Sequence, residues 1–329
     1  MSDESSHTNF EIKRRRDLIQ LGYLVQNQYT HPFSLSFQDL TNLFVLGTRA
    51  EDIYYNLLIQ LCDDHRKSVL VFTGSDSSGY EEQVCEGPLW YINLTTDEIT
   101  FNTLTLGEGL HPSRQISILI SLFEDFLPLS ATARNLLHVI IWKTLLSASN
   151  PTFQHLQNIL PFYKHYDTAY LEIRRLLEAL PYELLETNYD NLQLSRIQHL
   201  STIISGNNLP VNRFALNMLL LKLVAEENEN LPPLFLVNPP SLNPQLFQWL
   251  CARYAVAKRP LVVFDTQNKI STPSGQHMYN FIFTDSPHSD AFLPDIQLTE
   301  SERAIMNKNN DFVAVRLRSE PATRIITIF

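Results

Sequence analysis

The chain has 329 residues, 44% of them hydrophobic, and a formal net charge of −10. That length holds one large α/β domain or two small ones with a sizeable core, and the acidic balance opposes wholesale binding to duplex DNA, leaving only local basic patches for such contact. Glycine is sparse, at 9 residues, for an enzyme built on glycine-rich ligand loops, and the three scattered cysteines, Cys62, Cys85 and Cys251, match neither a zinc motif nor a disulfide framework.

The unpaired cysteines point to a reducing, cytoplasmic setting. No apolar run approaches the ~20 residues that a membrane span needs, so any tie to a membrane machine is peripheral. The opening MSDESSHTNF is polar and acidic and is no signal peptide. Residues 1–17 are expected to be disordered, and they hold a basic run, Lys13-Arg14-Arg15-Arg16. Such a run is a solvated face or a contact for nucleic acid or anionic lipid.

Leu43–Leu46 is a buried strand by composition, and it ends at Gly47. Residues 50–61 predict a helix, with Ile53, Leu57, Leu58 and Leu61 on one side. Ser68–Thr73 and Leu89–Leu94 are further strands. Strands alternating with helices predict a mainly parallel sheet covered on both faces.

From Pro112 to about Leu200 the pattern turns helical. Ile116, Leu119, Ile120 and Phe123 share one helical side, and Leu136, Val139, Ile140 and Lys143 share another. Helices are also expected over 152–160 and 169–180. The strand–helix alternation then resumes: strand 201–204, helix 211–225, strand 234–237, helix 243–257, and strands 261–264 and 281–284. Thr299 to Glu302 form a capping box that opens a helix to Asn307, and 312–317 and 324–329 close the chain as strands.

The order of these pieces resembles the HerA/FtsK-type P-loop motor ATPases, which include type IV secretion and conjugation ATPases. The stretch 18–46 is similar to that superfamily's lead-in, and Phe101-Asn102-Thr103-Leu104 resembles its asparagine-proline-leucine motif. Residues 109–146 look like the start of its helical insert, expected over about 110–200. Leu234–Asn238 falls in the Walker B place, and Val263-Phe264-Asp265-Thr266-Gln267 resembles the strand that ends in a sensor glutamine. The resemblance implies one RecA-like, P-loop NTPase-like domain over residues 18–329.

It also implies that the chemistry has been lost. A working phosphate loop reads G-x-x-x-x-G-K-[ST], in which lysine neutralises phosphate and the hydroxyl holds magnesium. The matching positions run from Gly47 through Arg49 to Asp52, Ile53 and Tyr54. Asp52 stands for the second glycine, Ile53 for the lysine and Tyr54 for the hydroxyl. At the Walker B end, Asn238 and Pro239 replace the acidic pair, while Gln267 matches the sensor glutamine. The expectation is a pseudo-ATPase without cofactor or metal. It would serve as adaptor or regulatory subunit to an active motor ATPase or to secretion-complex subunits.

Two other classes stay open at this point. One is a binding module for another ligand in the old nucleotide cleft, with Arg49 as its nearest cation. The other is an unrecognised nuclease or defence effector, for which Asp63-Asp64 and Glu81-Glu82 are the acidic pairs at hand. Adjacent acids on a strand point to opposite faces, which weakens both as metal sites. The loop Gly74–Gly79 lacks the lysine of a phosphate loop, and Cys85 beside Glu81 and Glu82 is a poor nucleophile. His138 reads as a partly buried helix residue, and His111, His277 and His288 have no acid at metal spacing. Tyr54, Tyr55, Tyr163, Tyr166 and Tyr170 are either a contact surface or, as such residues more often are, ordinary semi-buried packing.

Overall fold

The computed structural model describes residues 18–26, 29–64, 67–74, 87–97, 99–102, 104–105, 110–180, 197, 199–207, 209–225, 231–239, 242–267, 279–284, 300, 304, 312–319 and 323–328. Lys13 to Arg16, Cys85, Glu81-Glu82, His277, His288 and most of the expected helix 299–307 lie outside them.

Among the described residues, eleven strands form one sheet. In chain order these are β1 (Leu18–Gln26), β2 (Tyr29–Ser36), β3 (Leu43–Leu46), β4 (Leu70–Thr73), β5 (Leu89–Asn93), β6 (Ser201–Ser205), β7 (Leu234–Val237), β8 (Leu261–Asp265), β9 (Asn280–Phe283), β10 (Phe312–Arg316) and β11 (Arg324–Ile328). Their order across the sheet is β2-β1-β11-β10-β9-β3-β8-β7-β4-β6-β5. From β9 to β5 every pairing is parallel. From β9 to β2 every pairing is antiparallel.

The parallel strands β3, β4, β7 and β8 are buried along their whole length. Alternation still sorts them. Leu43, Val45, Phe235, Val237, Val262 and Phe264 enter one apolar layer. Their neighbours Phe44, Leu46, Leu234, Leu236, Leu261 and Val263 enter the other. Both faces must therefore be covered. The first layer packs beneath α1 (Ala50–Ile59), which continues as a five-residue π-helical turn, Gln60–Asp64. Of the two readings of Tyr54 the packing one holds: its ring lies on Phe264 and Phe235 at 5.3 and 6.1 Å.

The second layer is helical. It holds α2 (Pro112–Phe126), α3 (Ala131–Ser147), α4 (Phe153–Ile159), a 3-10 segment (Leu160–Tyr166), α5 (Asp167–Ala179), α6 (Pro210–Ala225) and α7 (Pro244–Ala257). The first four of these helices fall between β5 and β6. α2 buries the side read from its periodicity, Ile116, Leu119, Ile120 and Phe123. The matching reading for α3 divides: Leu136 and Ile140 are buried, while Val139, Lys143 and His138 are on the solvent side. A polar cluster pins the crossing segment between sheet and helices. Asn102 donates to the Pro151 carbonyl at 2.8 Å and accepts the Leu104 amide at 3.0 Å. The family-like motif at 101–104 thus has a structural task here, tying the turn before α4 to the sheet.

Of the antiparallel half, β9, β10 and β11 fall where 281–284, 312–317 and 324–329 were expected, whereas β1 and β2 were read only as a lead-in. A register shift between Gln20 and Gly22 interrupts the β1–β2 ladder. There β1 meets β11 so closely that a Cβ at Gly22 would lie 1.8 Å from the Thr327 carbonyl oxygen. Gly22→Ala is therefore expected to cost roughly 1–3 kcal/mol as an overpacked contact. Chemical denaturation measures it, and an unchanged midpoint would contradict the close packing.

Burial pushes the Cys251 thiol up to about 12 from 9.0, and the Tyr279 phenol up to about 12 from 10.0. Tyr254, wholly buried with its hydroxyl donating to the Pro232 carbonyl, is raised further for the same reason. The folded state favours the neutral forms, so their contribution is complete below the ordinary thiol value. It drains away as the pH rises towards the folded values. Stability should therefore fall from about pH 9 upward. Cys251→Ala should flatten the start of that decline in pH-dependent melts, and an unchanged slope would discount the thiol.

Candidate functional site

In an open parallel sheet, ligands bind at the carboxyl ends of the strands, where neighbouring connections diverge to opposite faces. Here β8 lies between β3 and β7, and the carboxyl ends of β9, β3, β8 and β7 gather Thr284, Gly47, Asp265 to Gln267, and Asn238 along one edge. The sequence-derived site residues are thus brought to one place, from segments far apart in the chain.

The turn from β3 into α1 is short. Gly47, Thr48 and Arg49 are all that separate Leu46 from the first helical residue, Ala50. Gly47 has φ 115°, a conformation costly for a side chain, which explains glycine at this point. Its amide donates to the Asp265 carbonyl at 3.0 Å. The Arg49 amide donates to Thr284 Oγ1 at 3.1 Å, and the Ala50 amide donates to the Gly47 carbonyl at 3.0 Å. Thr284 is held in turn, its amide donating to the Leu46 carbonyl at 2.9 Å. A phosphate cradle needs a run of backbone amides aimed outward, and three amides of this turn already have protein acceptors.

The count from Gly47 puts Asp52, Ile53 and Tyr54 inside α1 rather than in a loop. Ile53 and Tyr54 face the core, at 2% and 1% exposure. Asp52 faces solvent and accepts from Arg49 Nε at 2.9 Å. The α1 N-terminus has no side-chain cap, but Glu51 and Asp52 occupy its first turn. Carboxylates there complement the positive end of the helix dipole. Arg49 carries the one cation named for this site, and it is tied to Asp52.

Asn238 joins three elements. Its Oδ1 accepts both the amide and the hydroxyl of Thr266, each at 2.9 Å. Its Nδ2 donates to Glu51 Oε1 at 3.2 Å. Its own amide donates to the Phe264 carbonyl at 2.8 Å, and its φ of 41° is one that asparagine tolerates better than most residues. Pro239 follows, half-buried. Gln267 is exposed at the end of β8, with its amide donating to the buried Asp265 carboxylate at 2.9 Å.

Other candidates disperse. Of the tyrosines, Tyr54 is core, whereas Tyr163 and Tyr166 cluster with His165 on the 3-10 segment, far along the chain. Asp63 lines a cleft of about 390 Å³ together with Cys62, Lys67, His199 and Ser201, at the amino ends of β4, β5 and β6. Cys62 Sγ lies 3.2 Å from Ser201 Oγ. Among the described residues no three His, Cys, Asp or Glu side chains gather as a metal site, and no helix is long and apolar enough to cross a membrane.

Sequence reading did not find the junction of α2, α6 and α7. Asn243 caps α7 by accepting the amides of Gln245 and Leu246, and donates to Ser121 at 2.8 Å and Asp125 at 2.5 Å. A cleft of about 310 Å³ opens beside it, lined by Asp125, Phe126, Arg213 and Phe214. An asparagine before Pro244 was a legible cap signal, but its partners come from distant helices.

No family model matches the chain, and no curated protein matches it in sequence. Solved structures do match in fold. VirB4 of Thermoanaerobacter pseudethanolicus superposes with a TM-score of 0.68 at 13% identity, covering 94% of this chain and 96% of that one. The bacterial conjugative coupling protein TrwBdeltaN70, in its unbound form, superposes with a TM-score of 0.55 at 10% identity, covering 96% and 90%. The chain therefore has the P-loop NTPase-like fold of these proteins, as the order of its elements implied.

Asn238→Asp would set a carboxylate beside Glu51, where an amide now donates. The variant should lose about 1–2 kcal/mol at pH 7, and the deficit against the parent should shrink near pH 4, where one carboxylate of the pair takes up a proton. Paired thermal melts at the two pH values measure this. Equal deficits at both would mean that the Asn238–Glu51 contact has no electrostatic part.

Proposed function

We propose that this chain is a catalytically silent relative of the type IV secretion and conjugation motors, acting as an adaptor or regulatory subunit of such a complex. The observation that carries the reading is the turn after β3. The amides of Gly47, Arg49 and Ala50 donate to protein acceptors, and Glu51 and Asp52 already place negative charge at the α1 N-terminus. A triphosphate arriving there would have to break those bonds and meet two carboxylates. Ile53 and Tyr54 offer neither the cation nor the magnesium-binding hydroxyl expected in the motif.

The Walker B side supports the same reading. Asn238 holds no charge, and its amide group is committed to Thr266 and Glu51. An acidic residue in that place would orient magnesium or activate water. Losing the contributions of lysine, hydroxyl and both acids removes the electrostatic stabilisation on which phosphoryl transfer depends. What such a chain retains is the shape of a motor subunit, and with it the surfaces through which subunits meet their neighbours. The bulk of the fold is kept along nearly the full length of VirB4, which suits a subunit that docks where a working one would.

Thermal melts with and without MgATP, together with a phosphate-release assay, test this. No turnover is expected, and no rise in Tm at 1 mM nucleotide. A dissociation constant below about 10 μM would stabilise the fold by about 2.7 kcal/mol at that concentration. A shift of that size would sink the proposal.

A further inference from the structure

α3 is apolar on both sides. Leu136, Leu137, Ile140, Ile141 and Leu145 are buried in the helical layer. On the opposite side Val139, Trp142 and Leu146 repeat at helical spacing and are 42%, 37% and 72% exposed. Lys143 rises from that side and lies over the Tyr163 ring, 5.1 Å from its centre. This contact joins α3 to the 3-10 segment, where Phe162 is 79% exposed and the rings of His165 and Tyr166 are 4.4 Å apart. The result is one outward face with aliphatic and aromatic groups along it. Thr132, Arg134, Asn135, His138 and Ser147 are also exposed on this helix, so the apolar groups form a strip within a mixed face, and exposed apolar surface of this kind marks an interaction site.

Charge indicates what encloses it. No Asp or Glu occurs from Phe126 to Tyr166, whereas Arg134, Lys143 and Lys164 do, in a chain of net charge −10. Of the acids on neighbouring helices, Glu172 accepts the Ser130 amide at the start of α3, and exposed Asp167 follows Tyr166. Arg134 is neutralised by Glu124, which leaves Lys143 and Lys164 as the cations beside the apolar strip. We propose that this face docks an amphipathic helix of a partner protein whose apolar ridge is flanked by acidic residues. Lys143 and Lys164 meet the carboxylates, and Val139, Trp142, Leu146 and Phe162 meet the ridge. A second copy of this chain on the same face would oppose lysine to lysine. An anionic bilayer would meet these lysines but would repel the rest of an acidic molecule. The assignment stands apart from the nucleotide reading, because α3 lies in the helical layer and none of its residues belongs to the β3–α1 turn.

Two synthetic helical peptides with identical leucine and phenylalanine ridges, one flanked by glutamate and one by lysine, test the assignment on the intact protein. Trp142 is the exposed member of the chain's three tryptophans, since Trp249 is buried and Trp90 is partly so. Its emission therefore reports docking. The glutamate-flanked peptide should bind at least about tenfold tighter than the other, shift the emission to the blue and weaken with added salt. Leu146→Glu and Phe162→Glu, both at exposed positions that the fold tolerates, should each weaken it by a similar factor. Val256→Glu, at an exposed site on α7, should leave it unchanged. Equal binding of the two peptides, or binding of neither, would overturn the proposal. So would a blue shift produced by phosphatidylserine vesicles instead of peptide, or sedimentation as a dimer that Leu146→Glu abolishes.

Discussion

The central strands of this protein have no polar face. β3, β4, β7 and β8 are buried on both sides, and their side chains divide by simple alternation into two apolar layers. This constraint organises the rest. Helices must lie on both sides, so the connections must carry them there, and within these four strands the polar side chains, Thr73 and Asp265, sit at the carboxyl ends. The one edge where several carboxyl ends meet is therefore the place at which chemistry would be expected.

At that edge the protein satisfies itself. Backbone amides that could turn outward to an anion instead donate across the sheet to Asp265 and Thr284. Asn238 accepts from Thr266 and donates to the Glu51 carboxylate. Each bond is worth little alone, yet together they tie β7, β8, β9 and α1 into a closed junction, and leaving any such group unpaired after partial opening carries a larger penalty than the bond itself is worth. The outer side of α3 differs, with Val139, Trp142 and Leu146 exposed beside Lys143.

The legible parts of the fold were those governed by local period. Buried strands such as Leu43–Leu46 and Leu234–Val237 match their predicted spans because a short run of β-branched and aliphatic residues between turn signals has few alternatives. The α2 stripe was legible for the same reason. The α3 stripe was not. Apolar residues surround that helix, so its period could not say which side faces the core, and Leu136 and Val139 ended on opposite sides. Whether Tyr54 served a contact surface or ordinary packing was not legible, because its burial depends on Phe235 and Phe264, which arrive from distant strands. The closing strands were legible, but their antiparallel pairing was not, since joining β1 to β11 needs contacts across nearly the whole chain.

By itself, the order of residues determined that this is a mainly parallel α/β protein with helices inserted midway, and that Gly47, Asn238 and Gln267 follow buried strands. Those properties rest on side-chain period and on what can follow a strand, and both are local. Only the tertiary structure decided that the three residues share one edge, that β8 separates β3 from β7, and that the amides after Gly47 donate inward. Strand order and hydrogen-bond partnership depend on segments hundreds of residues apart. No local pattern records which of the possible acceptors a given amide will find.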